Sequence, residues 1–75
     1  MRLLDIDTQG TQKPLYAVVC ERYFYGFHDH AFIEPQSVVT DQQEAYRLAN
    51  SFSLTDNRSY IVVWYNRRRN KWQKL

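Results

Sequence analysis

The stretch Ser59-Tyr60-Ile61-Val62-Val63-Trp64-Tyr65-Asn66-Arg67-Arg68-Arg69-Asn70-Lys71-Trp72-Gln73-Lys74-Leu75 decides the fold. Tyr60, Val62 and Trp64 fall on one face of an extended chain and Ile61, Val63 and Tyr65 on the other, because strand side chains alternate. This is the clearest strand of the sequence. Asn66 to Asn70 then reads as a hairpin loop, with Asn70 suited to a positive φ. Lys71 to Leu75 returns as a short terminal strand, on which Trp72 pairs across the hairpin with Trp64 or Tyr65.

Upstream lies one helix. Thr40 is placed to cap it, with Gln43 at the capping-box position and Asp41 and Glu44 in the first turn. Ala45, Leu48, Ala49 and Phe52 recur at helical spacing and form one apolar face. Asn50, Ser51 and Ser53 weaken the last turn, so the helix is predicted over about 41–52. Thr55 to Asn57 is the loop that follows.

Leu15 to Phe27 is the longest β-type run, rich in Val, Tyr and Phe. Both of its faces are apolar at first, as in a central strand, and Glu21 and Arg22 mark its passage towards solvent. Gly26 is expected to be a bulge or the start of a turn. Phe27 to His30 would be the connection. Residues 31–39 look extended, with Pro35 demoting them to an edge strand or breaking them in two. At the other end, Leu4 and Ile6 alternate with Asp5 and Asp7 over a short strand from Arg2. Residues 8–14 form a polar turn, and Pro14 starts the next strand. The order is β-β-β-α-β-β, a mostly antiparallel sheet of four to five strands with the helix on one face. That is a single α+β domain over residues 1–75.

Composition narrows the class. Among 75 residues 44% are hydrophobic and 16% aromatic, too many for a disordered chain. So small a body must leave some aromatics near its surface, which favours docking or self-association, a homodimer included. Cys20 is the one cysteine, which points to a reducing compartment rather than a disulfide scaffold. No apolar stretch suits a signal peptide or a membrane span. A soluble, cytoplasmic protein with no membrane partner is the expectation.

Charge is uneven. Residues 1–56 hold four basic and eight acidic residues, net −4. Residues 57–75 hold six basic and no acidic residues, net +6. Arg67, Arg68 and Arg69, with Arg58, Lys71, Lys74, Tyr65 and Trp72 around them, are therefore the leading candidates for partner binding. The bland alternative is a solvated hairpin tip whose charges discourage edge aggregation. Three consecutive arginines exceed that need, and each guanidinium offers donors matched to carboxylate or phosphate. Trp72 and Tyr65 would anchor the contact beside arginine. The negative remainder of the molecule favours an acidic protein or nucleoprotein surface over nucleic acid alone, which stays as the alternative partner.

Other constellations are weaker. His28-Asp29-His30 would put two imidazoles on one face of a strand, with Cys20 upstream, as a second alternative site for metal or catalysis. A third and fourth ligand are missing from the sequence pattern, and Tyr46 fits only loosely as a helical tyrosine of an adjacent-histidine nuclease. The two glycines, Gly10 and Gly26, make no phosphate loop. No enzyme, cofactor or metal is expected. Tyr23-Phe24-Tyr25-Gly26-Phe27 suits either a base-stacking platform or core packing, and core packing is favoured. In size and architecture the chain resembles small proteins encoded by phages and mobile elements, anti-CRISPR proteins among them. The resemblance implies a non-enzymatic protein that docks on a larger host complex and inhibits it.

Overall fold

Two strands form the centre of the molecule. β1 (Tyr16–Cys20) and β3 (Tyr60–Asn66) pair antiparallel, with Val18 opposite Val62 and Cys20 opposite Tyr60. β2 (Val38–Val39) flanks β1, and β4 (Lys71–Lys74) flanks β3, giving a four-stranded antiparallel sheet in the order β2-β1-β3-β4. The computed structural model describes residues 1–10 and 12–75. Helix α1 (Glu21–Phe27) follows β1, and helix α2 (Gln42–Asp56) joins β2 to β3. The result is the expected small α+β fold.

Alternation on β1 and β3 gives the sheet two apolar faces. Val18 and Val62 meet Ala45 and Ala49 of α2, with Tyr16, Val39, Leu48, Phe52 and Tyr60 around them. The two alanines let the helix approach the sheet closely. Ala17, Val19, Ile61 and Val63 face the other way, into a larger core with Leu3, Leu15, Phe24, Ile33 and Trp72. That second face is covered by the N-terminal segment, α1 and two short turns, whereas the sequence suggested a cover on one face only.

Three details depart from the sequence reading, and a fourth segment follows it. Residues 2–7 are not a strand. Leu3–Asp5 is a 3-10 turn that buries Leu3 and Ile6, while Leu4 is exposed. Leu3 N–H donates to Ala31 O, Ile33 N–H donates to Met1 O, and Arg2 makes a lone bridge to Phe32. The segment thus straps across residues 31–33 instead of entering the sheet.

The run 15–27 is a strand only as far as Cys20. Its partner β3 begins at Tyr60, opposite Cys20, and only the Glu21 N–H to Ser59 O bond extends the pairing. With no ladder to join, the chain coils into α1 and turns Phe24 under the sheet. Gly26 lies inside that helix and is neither bulge nor turn. The reversal falls at His28, whose φ is 50°.

Residues 31–39 break at Pro35, as expected, into a 3-10 turn at Pro35–Ser37 and two residues of edge strand. Finally, α2 is capped by Asp41, whose carboxylate accepts from Glu44 N–H at 3.3 Å, and not by Thr40. It also runs past Phe52 to Asp56. Ser53 Oγ accepts from Tyr60 N–H, Phe52 packs on the Tyr60 ring, and Asn57 closes the helix in the left-handed conformation. These contacts come from β3 and outweigh the weak helix propensity of the last turn. Among the described residues, no helix is long and apolar enough to cross a membrane.

Candidate functional site

Asn66 organises the basic hairpin. Its side-chain oxygen accepts from Arg68 N–H at 3.1 Å, its amide donates to Gln73 Oε1 at 2.7 Å, and its carbonyl accepts from Arg69 N–H at 3.2 Å. Asn70 completes the turn at φ 52°, as its position in the sequence suggested. Arg67 Nη2 donates to Lys13 O at 3.0 Å and ties the tip to the segment before β1. The loop is therefore a fixed platform. Arg67, Arg68, Arg69 and Lys71 are all exposed on it. Neither guanidinium of Arg68 and Arg69 meets a carboxylate among the described residues.

Of the other four residues of the predicted patch, three go elsewhere and Tyr65 stays beside the turn. Trp72 is 5% exposed and belongs to the larger core, its ring 5.3 Å from that of Tyr65. It holds the hairpin in place and cannot reach a partner. Tyr65 pairs with it across the strands and is half-buried. Lys74 stands at the far end of β4, with Nζ 3.8 Å from Glu21 Oε2.

Arg58 precedes β3, so the strand separates it from the tip by roughly 20 Å, at about 3.3 Å per residue. It sits on α1 instead. Its Nη1 donates to Tyr23 Oη at 2.7 Å, and its guanidinium carbon lies 5.8 Å from the Tyr23 ring centroid. The Tyr23 hydroxyl bond, the leading cause, holds its pKa above the ordinary arginine value.

That contact exposes what sequence reasoning missed. Of the aromatic run, only Phe24 packs in the core. Tyr25 is 54% and Phe27 59% exposed, and Tyr23 is also at the surface. Core packing, the favoured reading of the run, fails for three of its four rings. A strand would have set Phe24 against the other three, and so does this helix, so periodicity did not distinguish the two. Two grooves flank the ridge. One runs past Arg22 and Arg58, the other past His28, His30 and the β4 residues Lys71 and Lys74, and Tyr25 and Phe27 line both.

His28 and His30 lie in a 3-10 turn and not on a strand. Their side chains are exposed, and Arg2 Nη1 approaches His30 Nδ1 at 3.5 Å. Among the described residues no three of His, Cys, Asp and Glu come together as metal ligands. Tyr46 is exposed on α2, which covers the opposite face of the sheet from this turn. Cys20 is buried. No family model matches the sequence, and no curated protein or solved structure is significantly similar to it.

Proposed function

We propose that the chain is a non-enzymatic binding protein that docks through the β3–β4 hairpin on an acidic surface of a larger protein or nucleoprotein complex. The observation that carries this reading is the tied turn, which presents Arg68 and Arg69 with no carboxylate partner among the described residues. A loop already held in one conformation loses little entropy on binding. Forked guanidinium groups on it suit paired carboxylates. With Trp72 buried, the contact is Arg67, Arg68, Arg69 and Lys71, with the exposed edge of Tyr65 beside them.

Within that class, an inhibitor of a host defence or nucleic-acid-handling complex is the finer proposal. It rests on the resemblance to phage and mobile-element proteins read from the sequence. The lone buried Cys20 supports a reducing compartment such as the cytoplasm.

Capture of partners from host lysate, with the parent protein against an Arg67/Arg68/Arg69→Glu variant, tests the hairpin. The three side chains are exposed and the variant gives up the Arg67–Lys13 bond at the surface, so it should melt close to the parent and lose its partners, and an Arg68/Arg69→Glu variant that keeps this tie should lose them too. An undiminished partner set would show that the hairpin is not the contact.

A further inference from the structure

We propose that the α1 ridge, with the groove on either side of it, is a second binding site, for single-stranded nucleic acid. The proposal goes beyond the hairpin reading and uses a surface that meets the hairpin contact only at Lys71.

Tyr25 and Phe27 carry it. Both rings are more than half exposed, although a 75-residue domain needs its aromatics for the core. Exposed rings on a fixed element offer faces on which unpaired bases stack, whatever their sequence. A duplex hides those base faces within its own stack, so the rings favour single strands.

Charge identifies nucleic acid over an apolar protein patch. Arg22 and Arg58 line one groove, and Lys71 and Lys74 line the other, with the two rings between them. The carboxylates that line the two grooves are Glu21, which is already beside Lys74, and half-buried Asp29, while Asp56 beyond Tyr23 accepts from Tyr60. Four cations against two carboxylates leave the ridge positive, although residues 1–56 as a whole are negative.

Arg58 is brought there by the fold alone, since it lies 35 residues from Tyr23. Its bond to Tyr23 Oη uses one of five guanidinium donors and leaves the others for phosphate. Cations on both sides of stacking rings are the arrangement by which single strands are held.

Fluorescence anisotropy at low salt tests the site, with labelled oligothymidine or oligouridine of about 12 nucleotides, within the ~4–16 that small single-strand-binding folds cover. We expect saturable binding, with affinity falling as salt rises at a slope of about −0.7 per phosphate engaged. Comparison of the two oligomers separates DNA from RNA. A Tyr25→Leu/Phe27→Leu variant keeps apolar surface and removes the rings. Its affinity should fall at least about 5-fold, the lower end of one lost base–aromatic stack, and an Arg22→Ala variant should also bind more weakly. Both variants are at exposed positions, and melting confirms that they fold.

The proposal is overturned if neither oligomer binds, if the double leucine variant binds as the parent does, or if duplex of the same length binds as tightly. It is also overturned if only the Arg67/Arg68/Arg69→Glu variant loses binding, because the strand would then lie on the hairpin. That last result would leave the hairpin contact standing, so the two readings fail separately.

Discussion

Replacing Trp72 with alanine separates a core residue from a docking anchor. The side chain is 5% exposed, among Leu3, Phe24, Ile61 and Val63, with its ring against Tyr65. An aromatic of this kind buries roughly 150–250 Å². At ~25 cal/mol per Å² that is about 4–6 kcal/mol, and large aromatics cut to alanine in cores lose ~3–5 kcal/mol. A 75-residue domain has about 4–11 kcal/mol in total, at ~0.05–0.15 kcal/mol per residue. Trp72→Ala should therefore remove about a quarter of the stability at the least, and all of it in the worst case. A loss of 3 kcal/mol lowers Tm by about 12–24 °C for a chain of this size. Trp72→Phe keeps a ring against Tyr65 and should lose much less. Thermal and urea denaturation of the three proteins is the assay. If Trp72→Ala melts within about 4 °C of the parent, equivalent to under ~1 kcal/mol, the burial argument is wrong and Trp72 returns to the docking surface.

Three further outcomes are expected. Gly26→Ala should raise stability by about 0.5–1 kcal/mol, because Gly26 is helical and a Cβ there meets nothing within 4 Å; a drop in Tm would mean that the position is a turn. Asp41→Ala should cost ~0.5–2 kcal/mol as a lost helix cap, while Thr40→Ala leaves Tm nearly unchanged, and the reverse order would place the cap at Thr40. Tyr60 donates to the Asp56 carboxylate, and this bond, followed by burial, pushes its pKa from 10.0 up to about 12. The folded state holds that proton more tightly than the unfolded chain, so the associated stability is complete below pH 10 and is lost as pH rises towards about 12. Stability measured against alkaline pH should show this fall in the parent and not in Tyr60→Phe, and an identical profile in both would refute it.

Residues 40–75 were legible in the sequence, and for local reasons. Alternation over Tyr60 to Tyr65 repeats through three pairs, and the hairpin turn needs one residue with positive φ, which Asn70 supplies. The apolar face of α2 recurs at 3.6-residue spacing. Its C-terminal end was misjudged because Ser53 and Phe52 are held by Tyr60, and propensity contains no information about a strand yet to be formed.

The first forty residues were harder. Tyr and Phe suit a pleated surface, yet whether Glu21 to Phe27 continues the strand depends on where β3 starts, and that register lies 39 residues away. Leu3 and Ile6 are three apart, a spacing too short to show a period.

The candidate sites divide the same way. Net charge of +6 over residues 57–75 and the Arg67–Arg69 turn are local properties, and the sequence alone determined them. Which aromatics face water is a property of the assembled sheet. Trp72 went inside because its strand face meets Phe24 and Val63, and Tyr25 and Phe27 stayed outside because one short helix can turn only one ring, Phe24, to the core. Arg58 left the basic hairpin for Tyr23 because β3 holds the two ends of its own length apart. Burial and long-range proximity depend on contacts between distant segments, and only the tertiary structure decided them.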